Sequence, residues 1–451
     1  MAFEEALATW LVKQRWFAGK GRGLRDLAIV ADTEVVSGDP ELRHLIVTVS
    51  YDTTVDYYQV LTGLRHELPD ELQHAHIGPS DDGRQAYDGL HDAELTRTLL
   101  VGIAADESIG RLRMRTIPGA SFGTGLDSLV LGGEQSNTSL VYGEESILKV
   151  FRRLSPGPNP DLEVTTALSR LGSQHIAEPF GWIETTLDGV PTSLAILSRY
   201  LRLASDGWSL AATSVRDLYA MEDGTGGGVR AAEAGGDFAG EAHRLGIATA
   251  QVHADLAAAF GADVLGDDAL RELTEQMFWK LELAEDAVPE LGRYSEMIGD
   301  AYASLAKLRD RIPVQRVHGD YHLGQVMRTT ETGWVVLDFE GEPATPLAQR
   351  RARSSPLRDV AGMLRSFDYA ARHQLIGHPE QFSLNAVAGD WVRRNASAFC
   401  AGYAEAGGQD PDENDVLLRA LQLDKAVYEV LYEARHRPSW LQIPLDSLAE
   451  F

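Results

Sequence analysis

The sequence has one cysteine, a deficit of positive charge and no long apolar run, and each shortage excludes a class of protein. Cys400 alone cannot form a disulfide within the chain. Lysine and arginine number 41 against 67 aspartates and glutamates, a formal net charge of −26, which disfavours a nucleic-acid partner because no basic surplus exists to neutralise phosphates. No apolar run reaches the roughly 18 residues of a membrane span, and the acidic N-terminal segment does not resemble a leader peptide. We expect a cytoplasmic protein that binds neither membrane nor nucleic acid.

The length and the hydrophobic periodicity predict several subdomains of α+β character. A chain of 451 residues is too long for one ordinary core. Residues 3–18 have helical spacing, residues 27–64 alternate with period two, and a polar stretch at 69–87 indicates a connector. Strand patterns continue to about residue 200, and helical patterns dominate after Trp208. The Gly-rich segment 223–240 lacks the flanks of a phosphate-binding loop and suggests a mobile insertion.

The most informative segment is VHGDYHLGQVMRTTETGWVVLDFEGE, residues 317–342. It places Asp320 in a loop, Gln325 five residues later, and Asp338 at the end of an apolar strand. An acid to deprotonate a hydroxyl, followed by an amide oxygen and a carboxylate to hold Mg²⁺, is the order that phosphoryl transfer from ATP requires. The alternative interpretation is a polar turn before a buried strand that ends in a capping aspartate.

A second group of residues precedes this segment and fits the phosphates of ATP. Lys149 lies on a predicted strand, and Glu163 near the start of the following helix would hold it by an ion pair. An exposed strand lysine and an exposed helix glutamate are the competing interpretation. The hairpin tip at Gly132 and Gly133 lacks a full glycine-loop pattern, and its phosphate donors would come from the residues that follow, Ser136, Asn137 and Thr138.

Two C-terminal features complete the predicted site. Lys425, Tyr428 and Tyr432 share one face of a predicted helix, where aromatic rings stack on sugar C–H patches and the polar tips bond hydroxyls. The same spacing also fits core packing. Asp359 begins a helix, and we expect it to accept backbone N–H groups of the 317–325 loop; an N-cap role is the alternative.

These motifs resemble the actinobacterial maltokinases. The resemblance rests on WLVKQRWFAGKGR, GGEQSNTSLVYGEESILKVFRRLSPGPNP, VHGDYHLGQV, VLDFEGEP, SPLRDVAGMLRSFDYAA and LDKAVYEVLYEARHRPSWLQIP, and it covers nearly the whole chain. It implies a bilobal protein-kinase-like fold of α+β class with an N-terminal cap subdomain. The implied regions are a cap at 1–90, an intermediate subdomain with the nucleotide-binding N-lobe at 91–200, and a helical C-lobe at 201–451.

The resemblance also implies an activity and a role for each site residue. It implies ATP- and Mg²⁺-dependent phosphorylation of maltose at its anomeric hydroxyl for α-glucan synthesis, and association with enzymes of trehalose and α-glucan metabolism. Asp320 would be the base, Gln325 and Asp338 the metal ligands, and Lys149 with Glu163 the phosphate anchor. The remaining assignments are Ser198 and Tyr200 in an adenine-binding hinge, and His318, Lys425, Tyr428 and Tyr432 in the sugar site.

Two departures from the wider kinase superfamily limit what the resemblance implies. Gln325 stands where most kinases carry asparagine, and Asp-Phe-Glu replaces Asp-Phe-Gly, so a glycine hinge is absent and control by loop phosphorylation is not expected. Three functions remain open on the sequence: a disaccharide kinase, a kinase for another sugar, aminosugar or aminoglycoside, and a catalytically inactive binding module. The presence of base, metal ligands and lysine disfavours the third, and Lys425 favours a neutral sugar.

Overall fold

The structure is a computed structural model that describes residues 3–52, 54–132, 136–221, 232, 237–309, 311–342, 345–378 and 381–451, with the side chains of 381–383 left out. The chain forms two compact units. Unit 1 comprises Met1–Ser169 and Ala177–Arg202, and unit 2 comprises Arg170–Ile176 and Leu203–Phe451. The sequence-based prediction for the Gly-rich segment 223–240 concerns residues that lie largely outside the described ones.

Unit 1 contains two antiparallel sheets and three helices. Its strands are β1 Asp26–Val36, β2 Glu41–Ser50, β3 Val55–Arg65, β4 His76–Pro79, β5 Gln85–Asp88, β6 Ser108–Ile109, β7 Leu112–Thr116, β8 Ser128–Val130, β9 Thr138–Tyr142, β10 Ser146–Val150, β11 Arg153–Leu154, β12 Pro179–Leu187 and β13 Val190–Arg199. Its helices are α1 Phe3–Leu11, α2 Ala93–Ala104 and α3 Pro160–Arg170, with short 3-10 helices at Asp70–Ala75 and Gly89–His91.

The first sheet of unit 1 has the order β1-β2-β3-β5-β4, with β11 paired to β3, and the second has the order β6-β7-β12-β13-β10-β9-β8. One apolar cluster, which includes Leu42, Leu61, Leu148 and Leu197, connects the two sheets. A second cluster packs Trp10, Trp16 and other side chains of the N-terminal segment on the first sheet. Unit 1 is therefore built around two sheets that share a core.

Two sequence-based predictions for unit 1 are wrong in extent. The N-terminal helix ends at Leu11, not near residue 18, because the chain turns so that Trp16 and Phe17 pack their rings near Tyr58. The stretch 69–87 is not a plain connector, since it contains a 3-10 helix and the paired strands β4 and β5. The strands β4 and β5 have only four residues each and show little period-two signal, and the pairing of β4 with β5 and of β5 with β3 supplies what propensity does not.

Unit 2 is mainly helical. Its helices are α4 Gly207–Met221, α5 Ala239–Phe260, α6 Asp267–Ala287, α7 Ser295–Ala306, α8 Leu347–Arg350, α9 Leu357–Arg372, α10 Gln381–Glu405, α11 Asp415–His436 and α12 Gln442–Leu448, with 3-10 helices at Pro289–Tyr294, Leu323–Gln325, His373–Leu375 and Pro438–Trp440. Its strands are β14 Ala204–Asp206, β15 Ala262–Val264, β16 Pro313–Gln315, β17 Val326–Thr329 and β18 Trp334–Val336.

The small sheets of unit 2 present the segment predicted to carry chemistry. Strands β14, β17 and β18 form a three-stranded antiparallel sheet, and β15 pairs with β16. The loop after β16 and the end of β18 hold Asp320 and Asp338. Among the residues that the structure describes, no helix has the length and apolar character that crossing a membrane requires.

Candidate active site

Lys149 lies on a central strand of unit 1 with a carboxylate partner. Strand β10 pairs with β9 and β13, and Lys149 lies opposite Ser139 and Ile196. Leu148 and Val150 are buried, so alternation sends the lysine to the other face of the sheet. Its Nζ lies 3.5 Å from Asp161 Oδ2, and the two side chains are 16% and 9% exposed. The ion pair orients the ammonium of Lys149, and its role as a phosphate anchor stays a prediction.

The partner of Lys149 lies in the first turn of α3. The helix begins at Pro160, which has no N–H to satisfy and suits a first position, and the helix dipole favours a carboxylate in this turn. The sequence predicts Glu163 as the partner, and the structure places Asp161 two residues before it. The role of Glu163 stays a prediction.

The residues predicted to hold phosphates and adenine lie at the ends of the same strands. Ser136 is exposed, Asn137 is half-buried, and the preceding Gly133 lies outside the described residues. Thr138 is buried, and its Oγ1 accepts a hydrogen bond of 2.8 Å from Arg152 Nε. Their contacts with nucleotide remain predictions.

The predicted hinge follows the same strand end. Ser198 pairs with Ile147 and Pro179 near the end of β13. The Tyr200 amide donates to the Glu145 carbonyl at 3.0 Å, so this amide is used within the protein. The Tyr200 carbonyl accepts the Arg202 amide at 3.1 Å, and Ser198 and Tyr200 stay predicted nucleotide contacts.

One buried carboxylate of unit 2 binds the backbone of the 317–325 loop, which carries the predicted base Asp320. Asp359 on α9 accepts the backbone amides of His318 at 2.8 Å and Gly319 at 2.9 Å, which confirms the role predicted for it. Gly319 has φ of +85°, a conformation that glycine adopts without strain. Burial is the largest single effect and works against ionisation of Asp359, but the hydrogen bond and charge of His253, the charge of His318 and the Gly319 amide together lower the Asp359 pKa below its usual value. The loop is therefore fixed by a charged acceptor.

His318 is a buried side chain that hydrogen-bonds the backbone beside the predicted metal ligand and at the predicted base. It is 2% exposed, its Nε2 donates to the Leu337 carbonyl at 2.8 Å, and its Nδ1 accepts the Asp320 amide at 3.3 Å. Its ring also packs on Tyr321 and Phe339. This geometry supports a positioning role for His318, in place of the substrate contact that the sequence predicts.

The two predicted metal ligands lie next to each other. Gln325 Nε2 donates to Asp338 Oδ2 at 3.1 Å, and the Leu337 amide donates to the Gln325 carbonyl at 2.9 Å. Asp338 has φ of +62°, a left-handed conformation that is uncommon outside glycine and frequent at functional sites. The hydrogen bond orients the amide of Gln325 so that its oxygen is the atom left for a ligand.

The donor set fits Mg²⁺. Carboxylate oxygens of Asp338 and Glu340 come within 4.8 Å of each other, and Gln325 contributes the neutral oxygen. Hard oxygen donors of this kind suit Mg²⁺, which is commonly held by one or two carboxylates together with substrate phosphates. The sequence pattern does not predict a role for Glu340, which follows Asp338 by two residues.

Lys425 on α11 joins the predicted sugar face to the predicted base. Its Nζ lies 2.8 Å from Glu342 Oε1 and 3.9 Å from Asp320 Oδ1. Burial disfavours the charge of Lys425, but the two carboxylates outweigh it and raise the Lys425 pKa. For Glu342 burial is again opposed by the lysine, which lowers the Glu342 pKa. Both groups are therefore ionised at neutral pH.

The two tyrosines continue the same face of α11. Lys425 Nζ lies 4.8 Å from the centroid of the Tyr428 ring, and the Tyr428 and Tyr432 rings stack at 6.1 Å. Tyr432 is 38% exposed. Burial raises the Tyr428 pKa to about 12, so its phenol is protonated and can donate. A dry core would cover both rings, and the exposure of Tyr432 favours the ligand-facing interpretation.

Several residues at this site escaped the sequence analysis. Glu342 is 83 residues from Lys425, and no local pattern links them. His253 on α5 donates Nε2–H to Asp359 at 2.9 Å and contacts the Tyr403 hydroxyl through Nδ1 at 2.8 Å. A histidine on an apolar helix face gives no sequence signal for this role. A sequence signal for Asp161 does exist, because it directly follows Pro160, the proline at which α3 begins, and a carboxylate is favoured in a first helical turn.

Family models match two parts of the chain. The "Maltokinase N-terminal cap domain" matches residues 10–92. The "Phosphotransferase enzyme family" matches residues 199–376. The first covers the sheet β1–β5, and the second covers the catalytic loop and the acidic strand end.

Curated relatives and solved structures agree with these matches. A "Glucosamine kinase" of Streptacidiphilus jiangxiensis is 31% identical over 75% of this chain and 76% of its own length. Another "Glucosamine kinase", from Mycolicibacterium smegmatis, is 28% identical over 69% of this chain and 76% of its own length. A solved "Glucosamine kinase in complex with glucosamine, ADP and inorganic phosphate" has a TM-score of 0.69 at 24% identity, covering 100% of this chain and 99% of that one.

The structural match confirms the bilobal α+β kinase-like fold with an N-terminal cap that the sequence predicts. The identity of 31% over three quarters of both chains, the matched cap and the matched phosphotransferase region together establish the family. This chain belongs to the phosphotransferase enzyme family, in the group that carries the maltokinase N-terminal cap domain.

Proposed function

We propose that this protein transfers the γ-phosphoryl group of ATP to the anomeric hydroxyl of maltose. The observation that carries the proposal is the ion pair of Lys425 with Glu342 beside Asp320. Lys425 shares one face of α11 with Tyr428 and Tyr432. The anomeric position and the disaccharide come from the resemblance of the motifs to maltokinases and from the cap domain.

In this reaction Asp320 accepts the proton of the acceptor hydroxyl. The freed oxygen forms a bond to the γ-phosphorus while the bond from that phosphorus to the β-phosphate oxygen breaks, and ADP leaves. Lys149 binds phosphate oxygens and stabilises their charge. Asp338, Gln325 and Glu340 are the residues that would hold Mg²⁺, which supplies neutralisation of phosphate charge when bound.

The charge around Asp320 discriminates between neutral and cationic acceptors. Lys425 already neutralises Glu342 and lies 3.9 Å from Asp320. A second ammonium about 5 Å from Lys425 would meet a repulsion of roughly 3 kcal/mol at an effective dielectric constant of 20, which attraction to the Asp320 carboxylate offsets in part. A neutral disaccharide meets no such repulsion, and its hydroxyls are partners for the ammonium and the Tyr428 phenol.

Phosphorylation of glucosamine is the second candidate function. It is favoured by the names of the curated relatives. In that case the ammonium of the sugar would lie on an acid other than Glu342. A catalytically inactive binding module is a further outcome that the assay below distinguishes, since it would bind ATP without releasing ADP.

A panel of acceptors at fixed ATP and Mg²⁺ tests the proposal. ADP release is measured with maltose, glucose, glucosamine and kanamycin, and kcat/KM is compared. We expect maltose to have the highest kcat/KM and glucose to lose mainly in KM, because one ring loses its aromatic platform. A highest kcat/KM for glucosamine would establish the second candidate and overturn the first.

A further inference from the structure

We propose that the N-terminal cap holds the phosphate-anchoring strand β10 in place, and that Gln59 and Arg152 are the positioning residues through which the cap sets the affinity for ATP. The inference rests on the role of Lys149 in the proposed function. All the contacts that carry it lie within unit 1.

The first contact comes from the cap sheet, which is the first sheet of unit 1 (β1 to β5). It is a clamp formed by the side-chain amide of Gln59. Gln59 on β3 is 1% exposed, and its Nε2 donates to the Phe151 carbonyl at 2.8 Å and the Leu194 carbonyl at 2.6 Å. The backbone N–H of Gln59 donates to the Arg152 carbonyl at 2.9 Å. Phe151 and Arg152 follow Lys149 by two and three residues, so one cap residue bonds the backbone directly after the anchor strand.

A buried histidine sets the direction of this clamp. His44 Nε2 lies 3.0 Å from Gln59 Oε1, and burial lowers the His44 pKa to about 4. The imidazole is therefore neutral at physiological pH and donates Nε2–H to the amide oxygen. This leaves the amide nitrogen of Gln59 to face the two carbonyls, so the orientation of the clamp does not depend on pH near neutrality.

The second contact is the side chain of Arg152. It is 1% exposed, its Nη2 pairs with Asp88 on cap strand β5, and its guanidinium lies 4.8 Å from the centroid of the Trp16 ring. Its Nε donates to Thr138 Oγ1 at 2.8 Å, at the start of β9. Arg152 directly follows the strand of Lys149, and its buried side chain contacts both the cap residue Asp88 and Thr138, the first residue of β9 after the predicted phosphate loop.

These contacts favour a positioning role over a solely structural one because of where they end. An ion pair inside the cap, such as Arg84 with Glu41, holds only cap residues together. The Arg152 and Gln59 contacts end on residues next to Lys149 and at Thr138. A shift of the cap sheet therefore moves the anchor, whereas loss of an internal cap contact does not.

The test removes the buried ion pair without leaving one charge unpaired. In the double variant Asp88→Asn/Arg152→Met both charges disappear, and the asparagine keeps an acceptor for the Leu90 amide that Asp88 now caps. A paired removal of this kind often preserves folding, whereas removal of one partner strands a charge. Arg152→Lys is the conservative variant, because its ammonium still pairs with Asp88 but cannot bond Thr138 as well. Arg84→Met is the matched control in the cap.

The primary measurement is the Kd of Mg·ATP by calorimetry with the full chain and no acceptor, with circular dichroism as the check of folding. We expect the double variant to lose roughly 2- to 30-fold in ATP affinity, the range of indirect coupling through packed networks. Arg152→Lys should lose less, and Arg84→Met should match wild type. In turnover assays the KM for ATP should rise while the KM for the acceptor stays constant.

A folded double variant with wild-type ATP affinity would overturn the inference, and so would an equal loss of ATP and acceptor affinity. If the double variant does not fold, Arg152→Lys decides by the same two criteria. Failure of the proposed function can be told apart from failure of this inference. If the wild-type protein binds no ATP, the proposed function fails before any variant is compared. If the wild-type protein prefers another acceptor, the ATP affinities of the variants can still be measured.

Discussion

Replacement of Lys425 by methionine tests how this site selects its acceptor. The side chains of Lys425 and Glu342 are 29% and 16% exposed and 2.8 Å apart. Coulomb's law at an effective dielectric constant of 20 gives roughly 6 kcal/mol for such a contact before desolvation is subtracted. Breaking a largely buried pair costs about 3 kcal/mol or more, because the remaining charge is uncompensated. The variant therefore leaves Glu342 as an anion in need of a cation.

Two consequences follow for the kinetics of Lys425→Met. Maltose loses an ammonium that bonds its hydroxyls, so kcat/KM for maltose should fall about 10- to 100-fold, within the range of a charged hydrogen bond. Glucosamine loses the repulsion of roughly 3 kcal/mol and gains Glu342 as a partner. Because the two effects multiply, the ratio of kcat/KM for glucosamine over maltose should rise by at least about 100-fold.

The assay is ADP release with each sugar at saturating ATP, and two controls accompany it. Lys280→Met removes a neighbouring lysine of similar exposure, 34%, that pairs with Asp424, and it should change the ratio far less, because its charge acts on Glu342 more weakly than that of Lys425. Glu342→Gln/Lys425→Met removes the anion as well, so glucosamine should lose the part of the gain that Glu342 supplies and keep the part that comes from the lost repulsion. A ratio that stays within about threefold of wild type in Lys425→Met would refute the electrostatic account of selection.

Four further predictions address the remaining residues. Asp320→Asn should keep ATP affinity and lose about 10²- to 10⁴-fold in kcat, the usual contribution of a general base; near-wild-type turnover would exclude it as the base. Lys149→Ala should raise the KM for ATP and lower kcat while the KM for maltose stays constant; unchanged kinetics would place it outside the phosphate site. Tyr428→Ala and Tyr432→Ala should each remain folded and cost about 1–3 kcal/mol of sugar binding, seen in the KM for maltose; unfolding of both would assign the stripe to the core. Asp359 has a folded pKa below its ordinary value of 3.8, so its stabilisation is present above about pH 4 and is lost as pH falls further; the difference in unfolding free energy between wild type and Asp359→Asn should shrink from pH 6 to pH 3, and a constant difference would contradict it.

The sequence predicts the elements whose signal is local. Lys149 is recognisable because apolar neighbours alternate around it on β10, and Asp338 because an apolar strand delivers it. The mainly helical character of the chain after Trp208 is also predicted, since sustained periodicity defines long helices. Asp359 as the acceptor for loop amides was predicted from its place at a helix start and is confirmed.

What the sequence does not predict are contacts between residues far apart along the chain. Nothing local pairs Lys425 with Glu342, or Arg152 with Asp88, because such pairs depend on how strands and helices pack. The short strands β4 and β5 are likewise specified by their pairing with each other and with β3, and their own composition resembles a loop.

The direct test of the central claim is the identity of the phosphorylated product. Purified protein is incubated with ATP, Mg²⁺ and an equimolar mixture of maltose and glucosamine, and the product is examined by phosphorus NMR with proton coupling. The account predicts one phosphomonoester that couples to the anomeric proton of maltose, formed in preference to any phosphate of glucosamine. A product phosphorylated on glucosamine while maltose remains untouched would contradict it.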